Sequence, residues 1–395
     1  MGSRVSFRTA AAVLVVLVCA ALTPVGNGSV PNFGEPLAGL TAEQLQRFED
    51  GKADFEEVDT VPQGLGPVFN DVACANCHSV AAVGGGSTIL ETRFGTIGAD
   101  GKFDPMTEFG GSLIQSQGIG VEGTCDYLAE LVPGGATIVA QRRTTPLFGL
   151  GLVDAVPDST FYLIAAEEAY HPDGIAGIVS VVTNLSTGLD AVGKFGWKDQ
   201  NPTLFQFSGD AYVNEMGVTN PQFPDENCPG GDCGALSCNP VKEVNDDGSG
   251  VTAFTDFMTF LAPPPRGQIT GQALLGELFF RGIGCAGCHR PDMRTGPNPV
   301  AALNKVRFHP YSDFLLHDMG SLGDGITQND ATGKLMRTAP LWGLRRITTY
   351  LHDGRAATLD AAILAHDGQA KKARDRFAAL SAFKKSWVVA FLNSL

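Results

Sequence analysis

Two five-residue stretches carry the most specific chemistry in this 395-residue chain, Cys74-Ala75-Asn76-Cys77-His78 and Cys285-Ala286-Gly287-Cys288-His289. On a helical turn, positions i, i+3 and i+4 share one face. Two thiols so placed can bond the vinyl carbons of a haem while the imidazole reaches the iron, the attachment pattern of a c-type haem. A disulfide or a zinc knuckle with an incidental histidine is hard to sustain twice in one chain. The spacing therefore predicts two covalently attached haems c. Cys74, Cys77, Cys285 and Cys288 are the anchors, and His78 and His289 are the proximal ligands.

The other cysteines follow the compartment. Arg4 and Arg8 precede an apolar run over residues 10–22, and Pro24, Gly26 and Gly28 follow it. This order reads as a secretory signal peptide over residues 1–28. The run is shorter than the roughly 20 residues that a membrane span needs. A lipid anchor at Cys19 is the lesser alternative, because Val18 is bulkier than such a site tolerates. The mature protein is expected to be exported, in a periplasmic or similar oxidising compartment, with no membrane span. There Cys125, Cys228, Cys233 and Cys238 would form two disulfides, in one of three connectivities. The last three crowd residues 224–250, a Gly/Pro/Asp-rich stretch that reads as a stapled surface loop. Zinc is disfavoured there because no histidine is near.

Composition narrows the partners. The chain is 44% hydrophobic and 18% charged, with 49 Gly and 23 Pro. That supports a sizeable core with much loop and excludes wholesale disorder. A net charge of −14 disfavours nucleic acid and anionic membrane. The basic cluster Lys371, Lys372, Arg374, Arg376, Lys384 and Lys385 stands apart, as a solvated face or a dock for an acidic redox partner. The run Asn245-Asp246-Asp247-Gly248 is a candidate Ca²⁺ site, though an ordinary turn explains it as well.

The elements that must position the two motifs recur. Arg143-Thr144-Thr145-Pro146-Leu147-Phe148-Gly149-Leu150 follows the first, and Arg337-Thr338-Ala339-Pro340-Leu341-Trp342-Gly343-Leu344 follows the second. Trp197 before Thr203-Leu204 matches His352 before Thr358-Leu359. The expected fold is mainly α with long loops, as two cytochrome-c-like haem domains related by internal duplication. The first spans 29–262 and carries an insertion; the second spans 263–395. Thr41 to Gln44 is a capping box that starts a helix. Helices are also expected at 271–280 and 358–365, with an amphipathic one through Phe377, Leu380, Trp387 and Phe391. Residues 261–266, rich in proline, read as the linker.

These stretches resemble the di-haem c-type peroxidase superfamily, most closely its di-haem oxidoreductase branch, often called thiol oxidoreductases. The resemblance rests on 69–78, 143–157, 195–198, 216–219, 337–344 and 352–366, and spans roughly residues 40–395. In that superfamily the second haem's far ligand, usually Met and in some members Tyr, lies fourteen residues after the His of an H-D-G motif. Here that His is His352 and the position is His366. The resemblance thus implies a bis-imidazole second haem of low potential. It implies Trp197 as an electron relay between the haems, and Glu215, with Gln206, over the open face of the first. Arg143, Arg337 and His352 would contact the cofactors, His352 by orienting a propionate or nearby backbone.

The function so implied is a peroxidase-like oxidoreductase. The first haem would react with peroxide or a small oxidant, and the second would transfer electrons, with a small electron-carrier protein as a candidate partner. The rival is a two-haem electron carrier whose first iron is closed by Met216, Met106 or His171. A third reading directs the oxidising equivalents onto a partner protein, which needs an exposed aromatic such as Trp342 or Trp387 near the haems.

Overall fold

The computed structural model describes residues 31–242 and 244–395. The expected signal segment and Cys19 lie outside the described residues. Among the described residues, six helices, α1 (Ala42–Glu56), α2 (Cys74–Cys77), α3 (Leu150–Asp154), α4 (Asp158–Glu168), α5 (Leu204–Met216) and α6 (Ser249–Phe260), precede residue 261. Four follow it: α7 (Gly271–Gly282), α8 (Leu359–Ala365), α9 (Lys371–Ala378) and α10 (Ala382–Leu392). Among the described residues no helix is long and apolar enough to cross a membrane.

Each attachment motif is framed by a crossed pair of helices. Thr41 caps α1 as expected, its hydroxyl accepting from the Gln44 N–H at 3.2 Å while the Gln44 side chain accepts from the Thr41 N–H at 3.0 Å. α1 then buries Phe48 and Phe55 against α6 and crosses it at Gly51, where an added Cβ would lie 2.1 Å from the Ala253 carbonyl oxygen. Only glycine permits that approach. α7 and α10 cross in the same manner at Gly276, where the Trp387 carbonyl oxygen would be 1.9 Å away.

Strands are more prominent than the sequence suggested: helix makes up 35% and strand 16%. The strand Leu90–Ile97 sits between Phe103–Asp104 and Ile138–Arg143, all antiparallel, with Glu91 opposite Arg142. The cysteines resolve as Cys125–Cys238 and Cys228–Cys233, which pin the stretch after α5 to a hairpin.

Residues 261–266 are non-helical, as the proline run predicts, and they are packed: Leu261 and Ala262 are buried, and the Leu37 and Ala262 N–H groups donate to the carbonyls of Phe260 and Glu35. One expectation changes. The C-terminal helix is two helices, because the Ser381 side chain accepts from the Lys384 N–H and starts α10 afresh. The main core also runs past residue 262 into Met293, Leu303, Phe308, Phe314, Leu315 and Trp342. A smaller core of Phe280, Tyr311, Phe377 and Phe391 packs around the second motif.

Two candidate cofactor cavities

The first motif opens on a cavity of about 200 Å³, the second on one of about 250 Å³. In both, the histidine is held by its inner ring nitrogen. His78 Nδ1 lies 3.0 Å from the Gly85 carbonyl oxygen, and His289 Nδ1 3.0 Å from that of Tyr311. A carbonyl only accepts, so Nδ1 carries the proton and Nε2 keeps a lone pair, as in a metal ligand. Burial pushes both imidazoles down to about 4, which keeps them neutral. Burial pushes all four free thiols up as well.

The second cavity is apolar and faces imidazole with imidazole. The His289 and His366 ring centroids are 6.4 Å apart. One metal bonded to each ring at about 2 Å fills such a gap, since each ring centre lies about 1 Å behind its nitrogen. His366 Nδ1 is anchored on the Ala362 carbonyl oxygen at 2.8 Å, again leaving Nε2 as the donor. The buried Trp342 Nε1 and Arg143 Nε have no hydrogen-bond partner among the described residues, although both residues line this cavity. Unpartnered buried donors of this kind suit a polar group on a bound molecule. The donors present fit a haem.

The first cavity is more polar. Its wall includes Glu91, Arg93 and Arg142 from the sheet and Asp210, Asn214 and Glu215 from α5. Glu215 Oε2 accepts from the Asn70 side chain at 2.8 Å. Burial, reinforced by Glu91, raises its carboxyl to about 7 against the pull of Asn70 and Arg93. Glu215 is thus poised to hold or release a proton near neutrality.

Trp197 lines both cavities, together with Arg143, Gly196 and Phe207. Its indole N–H donates to the Arg143 carbonyl oxygen at 2.9 Å, and its ring meets His352 edge-on at 6.2 Å. The wall is cross-braced symmetrically: the Arg143 N–H donates to the His352 carbonyl, and the Arg337 N–H to that of Trp197. Arg337 Nε also donates to the Gly196 carbonyl at 2.7 Å, so Arg337 braces the backbone of the wall while it lines the second cavity. His352 is buried in the wall of that same cavity.

Several candidates fall elsewhere. Gln206 does not reach the first cavity: it is buried on the opposite side of α5, accepting from the Leu185 N–H at 2.9 Å. On α5, residues 207, 211 and 215 share one face, and 206 lies off it by helical phase. Met216, by contrast, does line the first cavity, with its Sδ 3.8 Å from Cys74 Sγ. Met106 is in a separate small cluster with Phe94 and Ile114. His171 stands near Gly287, at the other motif. The carboxylates of Asp246 and Asp247 accept from the N–H groups of Gly250, Val251 and Ser249 at the start of α6.

The sequence did not point to His317, which is buried in the second cavity wall. Its Nε2 lies 3.0 Å from Asp313 Oδ2 and its Nδ1 2.8 Å from Gln369 Oε1. Although burial opposes it, Asp313 holds His317 protonated well above the usual range. Glu91, Arg93 and Arg142 were equally unmarked; alternation along their strands is the signal that could have found them.

Two cavities, each presenting paired thiols and a lone-pair imidazole, define a protein that holds two metal-bearing cofactors. The family model described as "Di-haem oxidoreductase, putative peroxidase" matches residues 133–395, and the chain belongs to that family. The match begins after Cys74–His78, so the first motif is read from its own residues. No curated protein matches the chain in sequence. Among solved structures, the hydrazine synthase of Kuenenia stuttgartiensis is similar at 14% identity and a TM-score of 0.42, covering 98% of this chain and 100% of that one. A MauG-like protein associated with microbial copper homeostasis is similar at 13% and 0.41, covering 94% and 95%. The diheme peroxidase BthA from Burkholderia thailandensis is similar at 14% and 0.31, covering 52% and 67%.

Proposed function

We infer that the chain is an exported di-haem c-type oxidoreductase of peroxidase type, with the first cavity as the reaction site and the second as an electron relay. It would consist of two cytochrome-c-like units, 29–262 and 263–395, that arose by duplication. Their bridges Phe195 to Asn201 and Tyr350 to Ala356, and their helix caps Thr203 and Thr358, fall at one constant offset, which supports this.

That offset supplies the observation that carries the functional reading. Applied to His366, it lands on Ala211, which lines the first cavity. Where the second unit has an imidazole facing its proximal histidine, the first has a methyl group that cannot reach a metal. The electron-carrier reading needs a side chain that closes the first site; Met216 lines that cavity with its Sδ 3.8 Å from Cys74 Sγ, and a thioether ligand there would show as a low-spin first haem.

When bound, the first haem would supply iron chemistry that takes peroxide, two electrons and two protons to two waters. Cys74 and Cys77 would hold that haem covalently, and Cys285 and Cys288 the other, with His78, His289 and His366 as ligands. Glu215 would take a proton from the incoming oxidant and return it to the leaving oxygen, the general acid–base role. Asn70 fixes one carboxyl oxygen and leaves the other for that exchange. Trp197, the wall common to both cavities, is the relay, and Arg143 offers its unpartnered Nε to a cofactor carboxylate.

The test is Ala211→His in the holoprotein. The ferric wild type should show one high-spin and one low-spin haem. The variant should be wholly low-spin, with peroxide turnover reduced at least a hundredfold. A wild type already low-spin at both irons would overturn the reading.

A further inference from the structure

The close crossing at Gly276 divides the α7–α10 pair into an inner and an outer side. Inside, Phe280 and Leu392 line the second cavity, and Ala370, just before α9, closes it with Ala373 and Arg374 of α9. The cavity is therefore one helical layer from the surface. Outside, Phe279 tilts against Trp387 at 5.6 Å and Trp387 against Phe383 at 4.6 Å. Leu278 and Phe383 are 66% and 63% exposed, and Leu275 adds to the same apolar surface. Apolar residues clustered in this way on a soluble surface mark a contact site.

The charge of this face says what would cover it. Residues 368–395 contain six Lys or Arg and one acid, Asp375, in a chain of net charge −14. Lys371 and Arg374 pair with Asp375, and Arg376 with Asp173. Lys384 lies 5.3 Å over the Phe279 ring and Lys385 5.6 Å over Phe377, and neither pairs with a carboxylate among the described residues. The apolar centre is thus rimmed by cations whose charge is not neutralised. On a chain of net negative charge, a basic patch of this kind attracts an acidic protein against the overall repulsion, so it fixes orientation as well as affinity.

We propose that the face built by α7, α9 and α10 docks a small acidic electron-carrier protein, which passes one electron at a time to the second cofactor. This rests on the proposed function, because it takes the second cavity as the relay. Electron balance requires two such encounters per peroxide, each carrier being oxidised by one electron.

The test uses the holoprotein and stopped-flow reduction of the second haem, with two low-potential probes: reduced flavodoxin, a small acidic carrier, and a reduced basic cytochrome c3. Flavodoxin should be the faster donor at low ionic strength. Lys384→Glu with Lys385→Glu should slow it at least tenfold, and about 0.5 M salt should remove most of the difference. Reduction by dithionite should be unchanged, which shows that the haem itself is intact. Faster reduction by the basic probe, or a wild-type rate in the double variant, overturns the proposal. So does a dimer in sedimentation that Phe383→Asp dissolves, because a second copy would then own the face. The assay reads the second haem alone, so it remains decisive even if the first proves closed and peroxide turnover is absent.

Discussion

The two cavities share a proximal turn and differ in what faces it. In the second, His366 stands 6.4 Å from His289, ring to ring, within mainly apolar walls that also hold Arg143, Arg337, His317 and His352. In the first, Ala211 occupies the matching position, and the walls carry Glu91, Arg93, Arg142 and Glu215. One scaffold can therefore present a closed site and an open one. The decisive difference is a single side chain, on α5 in the first cavity and immediately after α8 in the second. Closing an iron with two imidazoles favours electron transfer, and leaving a face open beside a titratable carboxyl favours chemistry.

The most severe way to break this contrast is to exchange its determinants. Ala211→His removes the reaction site, as argued above. The mirror change, His366→Ala, should give the second haem a high-spin ferric signal and raise its potential, with the first haem's spectrum unchanged. Redox titration followed by absorbance reads both. If His366→Ala left the second haem low-spin, another ligand would be present and the contrast would fail.

Next in size is Glu215→Gln, which keeps shape and loses the titratable proton. Peroxide turnover should fall roughly 10²–10⁴-fold, the usual range for a general acid–base. The optical spectrum should stay that of the wild type. Unchanged turnover would remove Glu215 from the mechanism.

A third change attacks a buried ionic joint between distant segments. Asp324 is buried at the end of ion pairs from Arg142 at 2.7 Å and Lys198 at 3.0 Å, so one carboxylate neutralises two cations from far earlier in the chain. Asp324→Asn leaves both cations short of a partner and should cost about 3–5 kcal/mol in denaturant unfolding. Burial would raise the Asp324 carboxyl, but Arg142 and Lys198 pull it below its ordinary value. Its contribution is therefore present above the unfolded pKa and lost as pH falls through the folded one. Acid unfolding of the variant should be less steep on that side. A loss under 1 kcal/mol would mean that the joint relaxes.

What was legible in the sequence was local. The attachment motifs, the Thr41 cap and the α7 helix depend on neighbours within a turn. His366 was placed by its distance from His352, and Trp197 by the family resemblance, in the wall that both cavities share. Glu91 and Arg142 come together only because two strands 50 residues apart pair in one register, which no short pattern encodes. Gln206 failed for a related reason. A family pattern counted residues along the chain, whereas the cavity selects by helical phase, and one residue of slip turns a side chain through about 100°. The cysteine pairing was open because loop closure discriminates weakly among long loops.

The finest probe of the contrast is pH. The Glu215 carboxyl is raised to about 7, so near neutrality it is divided between acid and base forms. It must begin as carboxylate to accept the oxidant's first proton. Turnover at low peroxide should therefore be flat above about pH 7 and fall about tenfold per unit below it. Glu215→Gln should abolish that limb and leave a low, pH-independent rate. The second cavity has no matching carboxyl: α8 stops at Ala365, before the position that would answer to Glu215, which is Ala370. The potential of the second haem should accordingly be insensitive to the Glu215 substitution across the same pH range. A shift in that potential on Glu215→Gln would mean that the two cavities titrate as one site, and the division of labour between them would have to be given up.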